Sequence, residues 1–391
     1  MRSESNLPKL IVNAIQNVVG KKPAPLHEPT FNGNEFKFLQ ECIESTFVSS
    51  VGKFVDQFES DLCDLTGAKH AIAIVNGTSA LHIAMKLCGV ERGDEVLIPA
   101  LNFVASANAI SYCGAHPHFL DSDENNLGVN TEKLKEYLYN NTKQSDGLCI
   151  NSSTKRIIRA IVPTHIFGHP ADLVELQSIA SEFNLALIED AAESIGSYYN
   201  NQHTGTFGSM GILSFNGNKT ITTGGGGAIL TNNSFIAKRA KHLTTTAKVK
   251  HKWELIHDEI GYNYRMPNIN AALGCAQLQK LPEMLQSKRC LYEKYQAEFS
   301  SITGVQLLKE PKNCQSNYWL QTIILDKEDK NLRDEILLLT NNVGIMTRPV
   351  WNLINELNQF SENPKMDLSN AKSLFKRLIN IPSSSNLVET K

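Results

Sequence analysis

Runs of consecutive apolar residues alternate with segments of helical periodicity between residues 34 and 235. Seven of these runs are short, rich in β-formers and apolar almost throughout: 71–76, 95–99, 117–121, 159–165, 185–190, 211–215 and 227–230. Such runs are typical of strands that are buried on both faces of a mainly parallel sheet. Helices are predicted between them, at Ser79–Leu87, Glu132–Tyr139 and Leu173–Phe183. The alternation therefore predicts a doubly wound α/β domain.

The segments on either side of this alternation predict two further units. Near the amino terminus, apolar residues recur at helical spacing: Leu10, Ile11, Ala14, Ile15 and Val18. They predict a short amphipathic helix docked on the body of the protein or on a partner subunit. The segment 268–299 has a helical pattern interrupted only by Pro282, and the remainder mixes two strand-like runs with polar helices. We therefore predict a helical extension at 1–30, a large domain at 31–267 and a smaller α+β domain at 268–391.

Composition and charge are ordinary for a globular protein and exclude several functional classes. The 391 residues include 38 Lys and Arg against 40 Asp and Glu, a net charge of −2, so charge gives no reason to expect nucleic acid or a membrane as partner. The apolar amino-terminal stretch is too short and too interrupted to span a bilayer, and it lacks the features of a secretory signal. The eight cysteines are scattered singly, without a C-x-x-C pair. This favours free thiols in a cytoplasmic protein over a metal site or a disulfide framework.

Several polar residues stand where predicted strands end, which is where ligands collect in open α/β sheets. Gly77 and Thr78 open a helix after the first strand and offer backbone N–H groups, a hydroxyl and the positive end of a helix dipole. This suits a phosphate group, although Thr78 or Ser79 acting as a simple helix cap is the alternative. Asp190 ends the strand 185–190, where a buried carboxylate needs a cationic partner. Ser214 lies near the end of the strand 211–215, and Lys219 follows five residues later.

Lys219 stands in the segment SFNGNKTITTGGGG, where a solvated loop lysine is the simplest interpretation. A P-loop is excluded because Asn218, not glycine, precedes the lysine. The glycine run also lacks the G-x-G-x-x-G spacing of a dinucleotide-binding turn. Pyridoxal 5′-phosphate, in contrast, needs a lysine for its Schiff base, an acid against the pyridinium nitrogen, a phosphate cup and an aromatic group on the ring face. Four elements of this sequence match these needs: Lys219, Asp190, Thr78 with Ser214, and Phe103.

With these residues in place, the chain resembles the DegT/StrS-type sugar aminotransferases. The stretches that carry the resemblance are NGTSALHIA, GDEVLIPALNFVASANAI, THIFGHPAD, IEDAAESIGS, SFNGNKTITTGGGGAIL, GYNYRMPNINAALGCAQL and TRPVW, between about residues 31 and 385. The resemblance implies an aspartate-aminotransferase-like fold (fold type I) with pyridoxal 5′-phosphate as cofactor. GNE, FVSSVGKFVDQFE, TTTAK and HDEIGYNYRMPN look like the branch that aminates UDP- or GDP-linked 4-keto-6-deoxy-N-acetylhexosamines toward bacillosamine or legionaminic acid.

The resemblance also implies roles for the cofactor-site residues. Lys219 would be the catalytic lysine and Asp190 the acid that pairs with the pyridine nitrogen. Glu193 would contact the ring hydroxyl, at a position where much of the family has Gln. Phe103 would stack on the ring, and the phosphate cup would consist of Gly77, Thr78 and Ser214. Gly225 replaces a glutamate that many relatives carry after the lysine strand, and no catalytic role depends on it.

Three further positions concern the second subunit and the substrate. Asn263 matches a residue that reaches the phosphate of the neighbouring subunit's cofactor, which implies a homodimer with shared active sites. Arg265 and Arg348 lie in family-like motifs and are candidates for contact with the sugar nucleotide, with a structural ion pair as the alternative.

The function that follows is transfer of an amino group from L-glutamate to carbon 4 of a UDP- or GDP-linked 4-keto-6-deoxy-N-acetylhexosamine, for the synthesis of bacterial surface-glycan sugars of the bacillosamine or legionaminic acid type. A GDP-perosamine-type or 3-keto-sugar aminotransferase is the alternative within the same chemistry. A sugar 3-dehydratase of this family would carry histidine in place of Lys219, and a regulatory paralogue without turnover would not need Lys219, Asp190 and Thr78 together.

Overall fold

The computed structural model describes residues 6–21 and 23–388 of the chain. The helices are α1 (Leu7–Val19), α2 (Glu35–Glu44), α3 (Lys53–Thr66), α4 (Gly77–Leu87), α5 (Ala105–Tyr112), α6 (Thr131–Asn141), α7 (Leu173–Glu182), α8 (Ser234–Thr244), α9 (Asn268–Phe299), α10 (Lys330–Asn342) and α11 (Ser369–Arg377). The strands are β1 (His70–Ile74), β2 (Glu95–Pro99), β3 (His116–Leu120), β4 (Thr142–Ser145), β5 (Leu148–Asn151), β6 (Ile157–Ile161), β7 (Ala186–Asp190), β8 (Tyr198–Tyr199), β9 (Gln202–His203), β10 (Met210–Ser214), β11 (Gly227–Thr231), β12 (Lys248–Val249), β13 (Ile256–His257), β14 (Val305–Leu307), β15 (Cys314–Gln315), β16 (Gln321–Leu325), β17 (Arg348–Pro349) and β18 (Leu378–Ile381). Within these residues, no helix combines the length and apolar character needed to cross a bilayer.

Nine of the described strands form one large sheet, in the order β1-β11-β10-β7-β6-β2-β3 with the β4–β5 hairpin attached to β6. The neighbours from β10 to β3 are parallel, whereas β11 is antiparallel to both β1 and β10. Each of the seven apolar runs forms a strand of this sheet, displaced by at most a few residues from its predicted position. The predicted α/β fold with a mainly parallel sheet is therefore confirmed. Buried apolar side chains cover both of its faces, as parallel strands require.

The direction of the strands brings the candidate site residues to one edge of the sheet. The carboxyl ends of β2, β7 and β10 lie at this edge because these strands are parallel. Since β11 is antiparallel to both β10 and β1, β1 ends at the same edge and β11 begins there. The turns after β1, β2, β7 and β10, together with Gly227 at the start of β11, therefore surround one crevice.

The carboxyl-terminal part of the chain forms a four-stranded antiparallel sheet in the order β14-β16-β18-β17. Helix α9 runs unbroken through Pro282 and contributes to two cores. Its first half packs with the large sheet through residues such as Cys275, whereas Tyr295 in its second half packs against the small sheet. Helix α1 buries Ile11 and Ile15 in that second core, so the amino-terminal helix docks on the body of its own chain.

Candidate active site

The turn between β1 and α4 presents a helix amino terminus to the crevice. Asn76 Oδ1 accepts a hydrogen bond of 2.8 Å from Ser79 N and caps the helix. The cap is therefore Asn76 and not Thr78, which leaves the Thr78 hydroxyl available at the first turn. Gly77 lies directly against the end of β10, because a Cβ atom added to it would be 3.1 Å from Ser214 Cβ. Gly77 and Ser214 therefore lie together at the amino terminus of α4, and the phosphate cup of Gly77, Thr78 and Ser214 stays a prediction.

Asp190 ends β7 as a buried carboxylate. Ser106 Oγ donates to Asp190 Oδ2 at 2.7 Å, and Ala192 N donates to Oδ1 at 3.2 Å. Burial raises the pKa of Asp190, while the bond from Ser106 and the charge of Lys219 act in the opposite direction. The carboxylate retains unused acceptor capacity, so a cationic N–H donor would stabilise its ionised form.

Lys219 lies in the turn after β10, with its side chain largely buried between an acid and an indole ring. Its Nζ atom is 3.4 Å from Glu193 Oε1 and 3.9 Å from the centroid of the Trp319 ring. The Trp319 Nε1 group donates to the carbonyl oxygen of Asn218 at 2.7 Å, so the same indole fixes the backbone next to the lysine. These contacts exclude the solvated loop lysine that was the simplest interpretation of the sequence.

Glu193 is buried beside this lysine. Its Oε2 atom accepts a hydrogen bond of 2.8 Å from Phe167 N, and Phe167 adopts a positive φ of 56°. Burial raises the pKa of Glu193 to about 7, even though Lys219 and the Phe167 N–H both lower it. The carboxyl is therefore poised between its neutral and ionised forms near neutral pH. In its neutral form it can donate a hydrogen bond, as a glutamine side chain can.

The segment 316–320 of the small domain reaches into the crevice, which sequence reasoning did not predict. Asn317 Nδ2 donates to the carbonyl oxygens of Glu193 and Ile195, both at 2.9 Å. The fully buried Lys288 of α9 holds the same segment by donating to the carbonyl oxygens of Trp319 at 3.1 Å and Tyr318 at 3.3 Å. Burial lowers the pKa of Lys288 to about 7. The surroundings of Lys219 are thus completed by a small-domain loop that both domains anchor.

The remaining predicted site residues lie in different environments. Phe103 is half exposed in the loop after β2, and its ring centroid is 6.2 Å from that of Trp351. Asn263 is exposed and pairs with Thr245 in an isolated β-bridge. No contact within the described part of the chain tests a role for either residue.

The two candidate arginines differ in their surroundings. Arg265 is buried, and its Nη2 atom lies 3.3 Å from Glu59 Oε1. Glu59 also accepts from Ala73 N at 3.0 Å, so this pair ties α3 to the outer edge of β1, where Arg265 itself forms a β-bridge with Ile74. Arg348 is exposed in the small domain and donates to Asn341 Oδ1 at 3.2 Å. The substrate contact expected of the two arginines stays a prediction, and the ion pair gives Arg265 a structural role.

The match to known proteins extends over nearly the whole chain. The model of the DegT/DnrJ/EryC1/StrS aminotransferase family matches residues 29–391. The chain belongs to this family. The GDP-perosamine synthase of Vibrio cholerae is 38% identical over 364 residues, which cover 92% of this chain and 93% of the relative. The GDP-perosamine synthase of Escherichia coli O157:H7 is 36% identical over 366 residues, 94% of each protein.

A solved structure supports the same assignment. Helicobacter pylori PseC, an aminotransferase involved in the biosynthesis of pseudoaminic acid, matches with a TM-score of 0.85 at 25% identity and covers 94% of this chain and 95% of its own. This member of the DegT/DnrJ/EryC1/StrS family is therefore a sugar aminotransferase that depends on pyridoxal phosphate, as predicted. The narrower assignment to a bacillosamine or legionaminic acid branch is not supported by these relatives, which favour the perosamine-type alternative.

The residues at the crevice fit the cofactor of the family. The start of α4 offers backbone N–H groups and hydroxyls for a phosphate. Asp190 is a buried acid that accepts from Ser106 Oγ and Ala192 N but makes no ion pair among the described residues, and a protonated pyridine nitrogen would supply its cationic partner. Lys219 provides the amine, and its Nζ atom is held within the same crevice.

Proposed function

We propose that this enzyme transfers the amino group of L-glutamate to carbon 4 of a GDP-linked 4-keto-6-deoxyhexose. The observation that carries the proposal is the identity of 36–38% to two GDP-perosamine synthases over more than nine-tenths of the chain. One water molecule supplies the keto oxygen of the 2-oxoglutarate that glutamate becomes, and the keto oxygen of the sugar leaves as another, so the overall reaction exchanges an amino group for a carbonyl oxygen without net water.

A UDP-linked 4-keto-6-deoxy-N-acetylhexosamine is the second candidate substrate. It is favoured by the segments GNE at 33–35 and HDEIGYNYRMPN at 257–268, which look like the bacillosamine and legionaminic acid branch. The likeness to a pseudoaminic acid aminotransferase supports it as well. The two candidates differ in the nucleotide and in the group on carbon 2 of the sugar.

The chemistry divides between the cofactor and the residues of this chain. Bound pyridoxal phosphate supplies an electron sink, through which an amino group can be exchanged for a carbonyl oxygen. Lys219 Nζ moves the proton between the reacting carbon atoms as general acid and base. Asp190 would keep the pyridine nitrogen of the bound cofactor protonated, and Glu193 would hydrogen-bond its ring hydroxyl. Gly77, Thr78 and Ser214 would hold the phosphate, and Phe103 would contact the ring.

We propose further that the working unit is a homodimer. Large apolar side chains are exposed in two segments, 31–51 and 253–260, and the most exposed of them are Phe36 at 84%, Trp253 at 77% and Ile260 at 85%. Apolar surface that is exposed in a single chain is typical of an interface that a second subunit covers. Asn263 lies next to the second segment, which is where a residue that serves the partner's phosphate has to lie.

The substrate assignment is tested with the cofactor-loaded enzyme, L-glutamate and a panel of nucleotide sugars. The panel consists of GDP-4-keto-6-deoxymannose, UDP-4-keto-6-deoxy-N-acetylglucosamine and a 3-keto nucleotide sugar, with the products identified by mass spectrometry and NMR. We expect amination at carbon 4 with the highest kcat/KM for the GDP-linked sugar. A higher value for the UDP-linked sugar would establish the second candidate, and bleaching by glutamate without any aminated sugar would contradict both.

The shared active site is tested by mixing two inactive variants, Lys219→Ala and Asn263→Ala. If Asn263 serves the partner's site, each heterodimer contains one site with both residues intact. Random exchange of subunits then restores about a quarter of the wild-type activity. If Asn263 serves its own chain, both sites of the heterodimer stay defective and the mixture stays inactive.

A further inference from the structure

The segment 24–30 lies as a strap between the segment after β18 and the first half of α9. Its backbone is held on both sides of His27: Ser383 N donates to the carbonyl oxygen of Leu26 at 2.7 Å, and Glu28 N donates to Ser384 Oγ at 2.9 Å. At the far end of the strap, Gln277 Nε2 donates to the carbonyl oxygen of Thr30 at 2.9 Å. The strap therefore fixes His27 in place although this residue belongs to neither sheet.

The imidazole ring of His27 buries both of its nitrogen atoms, and neither has a hydrogen-bond partner in the described part of the chain. An imidazole always has at least one N–H donor, and a buried donor or acceptor without a partner is unfavourable by about 1–3 kcal/mol. Buried polar groups are nearly always paired with protein, water or a ligand. The nitrogens of His27 therefore require a partner from outside the described residues.

Burial determines the charge of the His27 ring, and Lys288 links the strap that carries it to the crevice. Burial is the main cause that lowers the pKa of His27 well below 6.5, and the charges of Lys288 and Lys219 lower it further. Lys288 is tied to the strap through Ser383, whose carbonyl oxygen accepts from Lys288 Nζ at 2.6 Å. Lys288 Nζ also donates to the carbonyl oxygen of Trp319 at 3.1 Å, and the Trp319 ring lies against Lys219 Nζ, so one buried lysine joins the strap to the small-domain side of the crevice. The imidazole of His27 is neutral at physiological pH, with one donor and one acceptor nitrogen.

We propose that His27 binds the substrate sugar, by hydrogen bonds between its imidazole and a neutral group of the hexose ring that can donate and accept. A hydroxyl and an acetamido group both have this property, whereas phosphate and carboxylate groups carry charge that the neighbouring lysines attract more strongly. His27 is then a specificity residue for the sugar half of the reaction. The inference rests on the proposed function, because it takes a sugar as the acceptor of the amino group.

The test compares the two halves of the reaction in the cofactor-loaded His27→Phe variant. Phenylalanine fills the volume of the ring but cannot hydrogen-bond. We expect kcat/KM for the sugar to fall about 10- to 100-fold, as two lost hydrogen bonds imply. The half-reaction with glutamate, followed by the visible absorbance of the cofactor, should stay within about twofold of wild type, because glutamate does not contact His27. His27→Gln, which keeps a donor and an acceptor, should recover part of the sugar activity.

His116→Phe is the matched control, since it removes another imidazole at the amino end of β3, opposite the crevice. It should leave both half-reactions unchanged. If His27→Phe does not yield a folded holoenzyme, His27→Ala replaces it with the same expectations, because it only removes atoms. Wild-type kcat/KM for the sugar in the variant would show that the nitrogens hold only water and would overturn the proposal. An equal loss in both half-reactions would also overturn it, because His27 would then act on the cofactor or Lys219.

Binding measurements separate this inference from the proposed function. Calorimetric titration of the GDP- and UDP-linked keto sugars into wild type and His27→Phe measures the contact without turnover. Weaker binding to the variant supports the role of His27 even if the wild type aminates neither sugar, and equal binding contradicts it. The sugar whose affinity falls more identifies the partner of His27: a hydroxyl group if it is the GDP-linked sugar, and an acetamido group if it is the UDP-linked sugar.

Discussion

The indole ring of Trp319 lies against the side-chain amine of Lys219, with 3.9 Å between Nζ and the ring centroid. Through its Nε1 group the same ring binds the carbonyl oxygen of Asn218. Trp319 is itself fixed from the other side, because the buried Lys288 donates to its carbonyl oxygen. A small-domain residue therefore sets the position of the lysine on which the chemistry depends, and the placement of the two domains is coupled to the site.

Two substitutions of Trp319 should distinguish the effect of its ring contact with Lys219 from the effect of its hydrogen bond to Asn218. Trp319→Phe keeps an aromatic face for the amine but loses the bond to Asn218, whereas Trp319→Ala loses both. We expect Trp319→Ala to lower the free energy of unfolding by about 3–5 kcal/mol, as for other buried aromatic residues, and Trp319→Phe to lower it by about 1 kcal/mol. Both variants should slow the glutamate half-reaction, with alanine the slower, because Lys219 is less well held. Stopped-flow absorbance measures this, and wild-type rates in Trp319→Ala would contradict the positioning role.

Glu193→Gln should change how stability depends on pH. The pKa of Glu193 in the folded protein is about 7, above its usual value of 4.5, so the folded state binds the proton more tightly than the unfolded chain does. The stabilisation that this provides is complete below pH 4.5 and is lost as the pH rises to about 7. The neutral glutamine avoids that loss. At pH 8 the cofactor-free variant should therefore be more stable than wild type by up to roughly 3 kcal/mol, with the difference vanishing near pH 4.5.

Glu95→Gln is the control for this pH dependence. Glu95 is also buried, but hydrogen bonds from His118, Thr154 and Asn151 outweigh burial and lower its pKa. Its stabilisation is present at neutral pH and is lost as the pH falls through the folded pKa, so this variant should be less stable than wild type at pH 8 and approach it in acid. Urea denaturation at several pH values measures both variants. The same pH trend in both would contradict the assignment for Glu193.

The sheet and its cofactor crevice could be predicted from sequence because their signals are local. A buried parallel strand is a continuous apolar run, and the polar residue after it, such as Asp190 or Ser214, lies at the carboxyl edge whatever the rest of the chain does. The helix cap was less certain. Asn76 and Thr78 both suit the position, and only the backbone geometry decides for Asn76.

Residues that reach the crevice through tertiary packing could not be predicted in this way. Trp319 stands in an apolar strand-like run whose pattern indicates burial only, and its contact with Lys219 depends on how the small domain packs on the large one. His27 stands in a polar segment with Pro residues that predicts a linker. The ion pair of Arg265 with Glu59 joins positions more than 200 residues apart, which no local pattern records.

Lys219→Ala should fold like the wild type and yet lose catalysis. The side chain contributes one ion pair and one ring contact, so the expected loss of stability is small, about 1–2 kcal/mol. Activity should fall to background, and the bound cofactor should lack the absorbance band that its bond to the lysine gives. Lys241→Ala is the control, because it removes an exposed lysine that is paired with Glu59. This variant should keep both the activity and the absorbance band. A fully active Lys219→Ala variant would contradict the assignment of the catalytic lysine.

Two glycines in the run after Lys219 differ in the space available for a side chain, and two alanine substitutions should reveal this difference. At Gly227 an added Cβ atom would lie 2.6–2.8 Å from backbone atoms of Asn76 and Gly77, the turn that forms the phosphate cup. At Gly225 it would meet no atom within 4 Å. The close approach of β11 to the turn after β1 therefore requires glycine at one position and not at the other.

We expect Gly227→Ala to lower the free energy of unfolding by about 1–3 kcal/mol, as overpacking does, because backbone atoms cannot move aside as a side chain can. It should also weaken the binding of pyridoxal phosphate, since the N–H groups of the Gly77 turn would shift away from the phosphate. Gly225→Ala should be neutral or stabilise the protein by up to about 1 kcal/mol through reduced freedom of the unfolded chain. Urea denaturation and titration of the cofactor measure the two effects. Weak cofactor binding in Gly225→Ala, or normal binding in Gly227→Ala, would show that these glycines do not shape the phosphate site.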